Sequence, residues 1–523
     1  MAAIISVHLR ILNAKNFVAG VASTANSYYS FVGLPNPTDY DLEWNTSPPS
    51  PIDNFNQENE YWDTMVALKK INKSDVRQVV RKLTWTSGVT YDMYRNDVRA
   101  TNVSKPSDAV DLYSANYYVL NSDYRVYECL QNGTSPDNPA GRPSLDEPTF
   151  TDLEPREAGT SGDGYIWKYL YTISPSDIVK FDSTNYLPVP QDWDTNTNDK
   201  AVRENASTSG QIKIVTISNR GVGVGTANKI YTQVPIRGDG SGAEATVKTN
   251  NDSQVSSVTI SKGGSGYTFG TLDLAAKGIE GTTAPVFNVI IPPQGGHGAD
   301  IYRELGAYNV LLYSRIENDT DNPDFVTGNQ IARVGVVESP QAYDSTSNLE
   351  ADKASAVYAL KLTGAGYSGV TYDPDDQITQ TIGIGSTAFG RVVAYDSNTG
   401  VLKYWQDRFH CGFNTLPIGS KNTDPTYGFI MHRFTADIGS TGSLNIIGGS
   451  ATLAIQTHFG SAANPGITTV INSRTYNLGQ SFIKGVAQPE VKKYSGNITY
   501  VDNRPSVTRS TNQKEDIKVI LQF

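Results

Sequence analysis

One short stretch limits what this chain can fold into more than any other part of its sequence. Residues 161–173 read SGDGYIWKYLYTI, in which a bulky side chain stands at every second position after a glycine-flanked aspartate. These bulky residues are Tyr165, Trp167, Tyr169, Tyr171 and Ile173. A period of two is the pattern of a β-strand, whose successive side chains point to opposite faces. Because Ile166 and Leu170 are bulky as well, the pattern predicts a strand covered on both faces, in a core or between subunits.

The strand is preceded by Gly162, Asp163 and Gly164, for which the sequence leaves two structural interpretations. They could form a loop that binds a phosphate or a metal ion, or only the turn that starts the strand. Glycines accept positive φ, and the side chain of an aspartate can hydrogen-bond to the backbone of a tight turn. We therefore interpret the three residues as a turn.

Most of the remaining chain also has strand and turn patterns. Strand patterns occur at residues 123–130, 164–173, 211–217, 256–260, 307–314 and 517–523. Residues 56–83 have the strongest helical pattern, and Ser74 is the expected N-cap of a second short helix within it. A weaker helical pattern occurs at residues 13–25. The sequence predicts a mainly β, multi-domain fold of antiparallel sheets or sandwiches with a short helical segment near 56–83.

An internal duplication marks the middle of the chain. Residues 215–224 read VTISNRGVGV and residues 258–267 read VTISKGGSGY, and the two are identical at six of ten positions. A longer echo relates residues 221–247 to residues 364–392. These repeats of strands and Gly-x-Gly turns predict two inserted glycine-rich β modules. The predicted domains are an N-terminal part of the core at 1–204, a first module at 205–292, a return to the core at 293–346, a second module at 347–412 and a C-terminal part at 413–523.

The glycine-rich loops do not fit a nucleotide-binding site. Such a site needs its glycines between a strand and a helix, so that the phosphates lie at the helix N-terminus. Strand-like sequence follows Gly238, Asp239 and Gly240, no helical pattern follows Gly383 and Gly385, and these loops lack a Walker lysine. We expect the glycines to form turns.

Acid-rich loops and histidines give no recognisable metal-binding pattern. The loops at 319–324 and 373–376 lack the central glycine and closing glutamate of a calcium loop, so we interpret them as solvated turns. The five histidines are His8, His297, His410, His432 and His458, and they have neither H-x-x-x-H spacing nor a cysteine pair beside them. No G-x-S-x-G elbow stands between a strand and a helix. The sequence therefore predicts no catalytic, cofactor-binding or metal-binding residues, and the chain is not expected to be an enzyme.

Charge and composition exclude some partners and favour others. The net charge is −10 and the basic residues are interspersed with acids, so we expect no nucleic-acid binding. No apolar run reaches the roughly 18 residues of a membrane helix, and the first residues lack a signal-peptide pattern, so we expect no membrane insertion. Two cysteines suit a reducing cytosol. The 30 tyrosines outnumber phenylalanine and tryptophan together, which favours partly wet surfaces between subunits.

An ordered series of motifs gives the chain a family resemblance. The motifs are YYSFVG at 28–33, WTSGVTYDMY at 85–94, VYECL at 126–130, GDGYIWKYLY at 162–171, NYLPVP at 185–190 and YSGNITYVDNRPSV at 494–507, followed by a terminal ILQF. In this order they resemble the baseplate wedge subunit of T-even-type contractile-tailed phages, the product of their gene eight. The match is weak at 300–342 and resumes at about 485. Because the two glycine-rich modules lie outside it, the chain resembles a long, cyanophage-like version of that family.

The resemblance implies a non-enzymatic structural protein of the virion, located in the tail baseplate and made in the cytoplasm of the host bacterium. It implies a homodimer that binds other baseplate wedge proteins and takes part in the rearrangement that triggers sheath contraction. It implies no cofactor and no small-molecule substrate. The family signature consists of Gly162, Asp163, Gly164, Tyr165, Trp167, Tyr169, Asn503, Arg504 and Pro505, for which the resemblance implies structural roles in turns, packing and a fixed bend.

A different role in the virion is the main alternative, namely a host-binding or sugar-binding tail protein. Aromatic side chains beside turns in the glycine-rich modules, at Tyr267, Tyr367 and Tyr372, would suit stacking against sugar rings if they were exposed. The competing interpretation is that these tyrosines fill the small cores of the modules.

Overall fold

The computed structural model describes residues 4–23, 26–37, 43–206, 208–317, 328–363, 367–383, 386–406, 432–436, 443–446, 452–467, 470–471, 474–475, 480–510 and 514–523. The chain is mainly β, with 39% strand and 13% helix, which confirms the predicted fold class. It divides into two compact units. Unit 1 consists of Met1–Val18, Arg77–Leu312 and Val519–Phe523, and unit 2 consists of Ala19–Val76 and Tyr313–Lys518.

The described helices are short except for the first. They are α1 (Val7–Ala22), α2 (Phe55–Thr64), α3 (Pro175–Phe181), α4 (Lys200–Asn205) and α5 (Ile301–Leu305). Single 3₁₀ turns occur at Lys73–Asp75, Leu112–Ser114, Ala275–Lys277 and Tyr367–Gly369. Helix α1 overlaps the weaker helical pattern at 13–25 but begins earlier.

Strands make up most of the regular structure, in the following chain order. The first fourteen are β1 (Tyr28–Gly33), β2 (Met65–Ile71), β3 (Val76–Arg81), β4 (Tyr118–Leu120), β5 (Arg125–Asn132), β6 (Tyr165–Thr172), β7 (Tyr186–Pro188), β8 (Val215–Asn219), β9 (Ile230–Gly238), β10 (Ser241–Thr249), β11 (Val255–Ser265), β12 (Gly270–Leu272), β13 (Val286–Val289) and β14 (Asn309–Ile316). The others are β15 (Gln330–Glu338), β16 (Lys353–Ser355), β17 (Tyr358–Thr363), β18 (Gln377–Gly383), β19 (Ser386–Asp396), β20 (Val401–Trp405), β21 (Ser443–Ile446), β22 (Thr452–Ile455), β23 (Gly466–Ile467), β24 (Val470–Ile471), β25 (Arg474–Thr475), β26 (Ser481–Ile483), β27 (Val486–Ala487), β28 (Asn497–Thr508) and β29 (Glu515–Gln522). Each of the six predicted strand segments overlaps one of them.

The predicted helical segment near 56–83 is wrong beyond Thr64. Helix α2 begins where the side chain of its N-cap, Asn54, accepts a hydrogen bond from the Gln57 N–H at 3.0 Å. After α2 the chain continues as β2, a 3₁₀ turn and β3, so Ser74 caps no second α-helix. Strand β2 is buried almost throughout and β3 at four of its six positions. A strand buried on both faces has closely spaced apolar residues, and that spacing resembles a helical period.

The sheets of unit 1 are antiparallel. A three-stranded sheet has the order β4-β5-β6, a four-stranded sheet has the order β11-β10-β9-β12, and β8 pairs with β13. The last two sheets lie within residues 205–292, where β9 and β10 form a hairpin around Asp239 and Gly240. They enclose a small core of their own that includes Val234, Ala245 and Tyr267.

Unit 2 contains a five-stranded sheet of order β16-β2-β1-β15-β28 and a nine-stranded sheet of order β20-β19-β18-β21-β22-β17-β27-β26-β23. Strands β24 and β25 form a separate pair. One further sheet has the order β29-β14-β3-β7.

The main core of unit 1 surrounds β6. Tyr165, Trp167, Leu170 and Tyr171 are fully buried in it. The pairing of β5 with β6 steps from Val126–Tyr171 to Tyr127–Tyr169, so Leu170 is an extra residue in a β-bulge. Since a bulge reverses the alternation, Leu170 and Tyr171 are both buried whereas Tyr169 is only half-buried. The predicted row of aromatic side chains on one face therefore breaks at Tyr169.

The two ends of the described chain meet within unit 1. The guanidinium of Arg10 donates to the backbone carbonyl of Phe523 and lies 3.9 Å from the centre of the Tyr308 ring. The rings of Phe17 and Phe523 are 5.5 Å apart, and the Phe523 N–H donates to the Tyr308 carbonyl. Helix α1 is thereby joined to Phe523, the residue after β29, by a hydrogen bond and ring packing, and to Tyr308 by a cation–π contact.

Candidate functional site

The turn in front of β6 is held by the side chain of Asp163. Gly162 and Gly164 have φ of +68° and +87°, which L side chains rarely adopt. One carboxylate oxygen of Asp163 accepts from the Tyr165 N–H at 2.9 Å and the other accepts from the Leu145 N–H at 2.8 Å. Asp163 is only 6% exposed. Both of its oxygens are thus occupied by backbone donors, and the three residues form a turn that ties β6 to a neighbouring loop.

The aromatic residues that follow are locked by polar contacts as well as by packing. The Tyr165 hydroxyl donates to the Arg142 carbonyl at 2.7 Å and accepts from the Tyr91 N–H at 2.9 Å. The Tyr165 ring stacks on Trp167, with ring centres 5.3 Å apart, and Tyr91 meets Trp167 edge-on. Hydrogen bonds and stacking thus hold Tyr165, packing holds Trp167, and both residues lie in the core of unit 1.

The second part of the signature, Asn503, Arg504 and Pro505, lies inside β28. The pairing with β15 steps from Ile331–Val507 to Arg333–Asn503, so the residues between them on β28 form a bulge. Proline suits such a position because it has no N–H to contribute to the ladder. The bend predicted from Asn-Arg-Pro thus takes the form of an irregularity within a strand.

A buried arginine connects this bulge to the rest of unit 2. Arg333 is 2% exposed, and its guanidinium donates to Asn503 Oδ1 at 3.2 Å, to Thr64 Oγ1 at 2.5 Å and to Asn36 Oδ1 at 2.6 Å. It also lies 4.9 Å from the centre of the Trp44 ring. The planar fork of arginine serves all these partners at once.

A group of titratable side chains in unit 1 was not predicted from the sequence. Glu128 of β5, His297 of the loop that precedes α5, and Glu304 of α5 lie together and are all buried. The Nδ1 atom of His297 is 2.8 Å from Glu128 Oε2 and 2.8 Å from Glu304 Oε1. Within the described ranges these three residues are the one group of His, Cys, Asp and Glu that has the geometry to hold a metal ion.

The charges of this cluster are strongly coupled. Burial, reinforced by the charge of Glu304, raises the pKa of Glu128 to about 8. Burial alone would lower the pKa of His297, but the two carboxyl groups outweigh it and raise that pKa to about 9. Glu304 has a pKa below its usual value despite burial, because His297, Glu128 and the Gly298 N–H donate to its carboxylate. The cluster therefore shares its protons instead of holding two free carboxylates.

Neighbouring groups restrict the cluster to one arrangement. The Tyr94 ring meets the imidazole of His297 edge-on at 4.8 Å, and the Tyr117 hydroxyl donates to the backbone carbonyl of Glu304. Lys168, which lies opposite Glu128 on β6, is also buried and donates to the Leu153 carbonyl and to Asn205 Oδ1. Burial lowers the pKa of this lysine.

Sequence spacing could not reveal this cluster, because Glu128 and His297 are 169 residues apart. Two local signals were present. Glu128 is an acid inside the apolar strand segment VYECL, and His297 stands between glycines in GGHG. Both are positions where a charged or polar side chain is unexpected unless the fold supplies a partner.

The other candidate residues have separate locations. Asp375 of the acid-rich loop at 373–376 pairs with Arg391 at 3.1 Å, and Asp376 accepts from the Asp373 N–H at 2.8 Å, as in a local turn. His458 is exposed. His410, Cys411 and the loop at 319–324 lie outside the described residues.

The tyrosines considered for sugar stacking are not exposed where the structure describes them. Tyr267 is 2% exposed and its hydroxyl donates to the Ile236 carbonyl at 3.0 Å. Tyr372 is 4% exposed and packs against Tyr395 at 4.9 Å. Both fill small cores, and the side chain of Tyr367 lies outside the described part.

Comparison with known proteins gives no assignment. No protein-family model matches the chain, and the search of curated proteins finds no significant match. In the described segments, the helices all fall short of the length and apolar character needed to cross a bilayer.

Proposed function

We propose that this chain is a structural subunit of the tail baseplate of a contractile-tailed phage. In this role it holds neighbouring wedge proteins together and takes part in the rearrangement that triggers sheath contraction. The observation that carries the proposal is the ordered series of motifs from residues 28–33 to residues 494–507, which resembles the wedge subunit of T-even-type phages.

The positions of the signature side chains support this role. Asp163 holds two backbone donors, Tyr165 and Trp167 are committed to the core of unit 1, and Asn503 is bonded to the buried Arg333 in unit 2. Side chains that are occupied in packing and in backbone contacts fit a building block better than a catalyst.

The proposal includes a homodimer and contacts with other wedge proteins. Tyrosine is enriched at such interfaces because it combines a large apolar area with a polar tip. Tyr124 and Tyr343 are large aromatic side chains that remain exposed, at 38% and 50%. They are our candidates for contacts with partner proteins.

Immunogold labelling of intact phage particles that carry this chain tests the proposal. Label at the tail tip is the expected result. Label on the capsid or on long fibres would refute the baseplate role and favour the host-binding alternative. Light scattering at micromolar concentration tests the dimer, for which the expected mass is about 114 kDa, twice the 56.8 kDa of one chain. A monomer mass would refute the homodimer even if the tail tip were labelled.

A further inference from the structure

We infer that Glu128, His297 and Glu304 bind a divalent transition-metal cation, with Zn²⁺ as the best match. The three side chains come from β5, from the loop before α5 and from α5 itself, and each offers one ligand atom. The ligand atoms all lie within 4.8 Å of one another. The inference does not depend on the baseplate role.

The polar atoms of this cluster are not all satisfied by the hydrogen bonds among the three side chains. A single nitrogen, Nδ1 of His297, lies 2.8 Å from one oxygen of each glutamate. At most one proton is bound to Nδ1, and one N–H cannot be directed at two acceptors with good geometry, so without an ion a second proton, bound to Glu128, has to complete the contacts. The second oxygen of Glu128, Oε1, is buried and has no hydrogen-bond partner. Buried acceptors are seldom left in this state.

A cation at the centre of the three ligand atoms would take the place of the shared protons, and a Glu128 carboxylate that binds it through both oxygens would also give Oε1 its partner. Zinc binds histidine nitrogen at about 2.0–2.1 Å and carboxylate oxygen at about 2.0–2.2 Å. Two ligands at those distances are roughly 3.0–3.4 Å apart for angles between 90° and tetrahedral. The two contacts of 2.8 Å would therefore lengthen by only a few tenths of an ångström. Two carboxylates would neutralise the charge of the ion, which removes the cost of burying an unpaired charge.

The surroundings already orient the ligands as a metal site requires. The Gly298 N–H donates to Glu304 Oε2 at 2.7 Å, which turns the other oxygen, Oε1, towards His297. The Tyr94 ring packs edge-on against the imidazole. Such outer contacts fix the orientation of metal ligands and contribute to affinity.

The ligand set selects the class of ion. One imidazole with two carboxylates is less suited to Ca²⁺ and Mg²⁺, which prefer oxygen ligands throughout. It lacks the thiolates that soft ions such as Cu⁺ prefer. Among the remaining divalent ions, zinc binds more tightly than manganese or iron(II), whereas Cu²⁺, which binds more tightly still, and Ni²⁺ favour square-planar or tetragonal sites. Because all three ligands are buried, the ion would link β5 to the α5 region, and binding through both oxygens of Glu128 would complete four-coordination.

The experiment uses the full chain, purified through a tag without histidine and dialysed against zinc at neutral pH. We expect about one zinc ion per chain by mass spectrometry of the metal content. Removing the metal with a chelator should lower the unfolding midpoint by roughly 5 °C or more, and one added equivalent of zinc should restore it. A metal content below about a tenth of an ion per chain, with no midpoint shift on zinc addition, would overturn the inference.

Conservative variants locate the metal within the chain. Glu128→Gln and Glu304→Gln keep the shape of the side chains and remove a charged ligand. If folded by circular dichroism, they should lose more than about 90% of the bound zinc, because each removes one of only three protein ligands. His458→Ala, which changes an exposed histidine in unit 2, should leave the metal content unchanged. Folded glutamine variants that retain the metal would contradict the inference.

X-ray absorption of the loaded wild-type protein decides the matter if the glutamine variants do not fold. The expected spectrum has one imidazole and otherwise oxygen ligands, at distances of about 2.0–2.2 Å. A spectrum with sulfur ligands or several imidazoles would place the zinc elsewhere and refute the site.

Discussion

Replacing Asp163 by alanine should release the start of β6 from the loop that contains Leu145. The carboxylate accepts from two backbone N–H groups, at 2.8 and 2.9 Å, and is 6% exposed. A hydrogen bond to a charged group contributes about 1.5–3 kcal/mol, so the two bonds together correspond to roughly 3–6 kcal/mol. Water can reach the vacated space in part, and we therefore expect a net loss of about 2–4 kcal/mol in local stability. Because 1.36 kcal/mol corresponds to a factor of ten, the protection of these backbone amides against hydrogen exchange should fall about thirtyfold to thousandfold.

Amide hydrogen exchange followed by mass spectrometry is the appropriate assay, because a chain with several cores need not unfold in one step. Peptides that contain Leu145 and Tyr165 should exchange faster in Asp163→Ala, whereas peptides from β9 and β10 should not change. Asp163→Asn keeps one acceptor oxygen and should give an intermediate effect.

Asp152→Ala is the matched control for this prediction. Its carboxylate is 57% exposed and pairs with Arg156, so its loss should change stability by less than about 0.5 kcal/mol. Equal exchange rates in Asp163→Ala and wild type at both peptides would refute the view that Asp163 holds the turn. Equal effects of Asp163→Ala and Asp152→Ala would refute it as well.

Four further predictions concern packing, charge and interfaces. Trp167→Ala should cost about 3–5 kcal/mol in unfolding experiments because the side chain is fully buried, and a loss below about 1 kcal/mol would contradict its place in the core. Arg333→Lys should lower the free energy of unfolding by about 1–3 kcal/mol, since an ammonium group cannot reproduce the guanidinium hydrogen bonds to Asn503, Thr64 and Asn36. An unchanged thermal unfolding midpoint would refute this. Hydrogen bonds from Arg315 hold the pKa of Asp516 below its ordinary 3.8, so the pair stabilises the fold above that pH and loses its effect as the pH falls through the lowered value. The unfolding midpoint of wild type should therefore exceed that of Asp516→Asn at pH 7 and approach it as the pH is lowered further and further below 3.8, and a gap that does not narrow would be inconsistent with this origin. Tyr343→Ala should leave the unfolding midpoint within about 1 °C of wild type yet weaken binding to partner subunits in co-sedimentation, and unchanged binding would exclude Tyr343 from an interface.

Local patterns predicted the strands well because alternation is set within a few residues. The stretch at 161–173 is the clearest case, since its bulky residues coincide with β6 and its glycines with positive φ. The half-burial of Tyr169 was not predictable, because the bulge at Leu170 depends on the pairing with β5.

The error at residues 65–83 has a different cause. Strand β2 is buried at five of its seven positions, so it lacks the polar face that would have marked it as a strand, and in β3 the adjacent buried residues Val79 and Val80 obscure the alternation. Their apolar residues then match a helical spacing by coincidence. Knowledge of what covers each face would have been needed, and that information lies in the tertiary structure.

The cluster of Glu128, His297 and Glu304 was beyond motif analysis for a related reason. Metal motifs are recognised when ligands lie within a few residues on one element, as in H-x-x-x-H. Here one ligand precedes the first glycine-rich module and two follow it, so only the folded chain brings them together. The unusual acid in VYECL was visible, but its partner was not.

The contact between α1 and Phe523, the residue after β29, limits the order in which unit 1 can be completed during synthesis. Arg10 and Phe17 precede the whole of unit 2 in the chain, whereas Phe523 is added only after every residue of unit 2 has been made. Helix α1 therefore cannot make its contacts with Phe523 until more than 500 further residues have been translated. Closure of unit 1 is thus a long-range step that cannot precede the synthesis of unit 2, and such steps are slow because distant segments of the chain must meet.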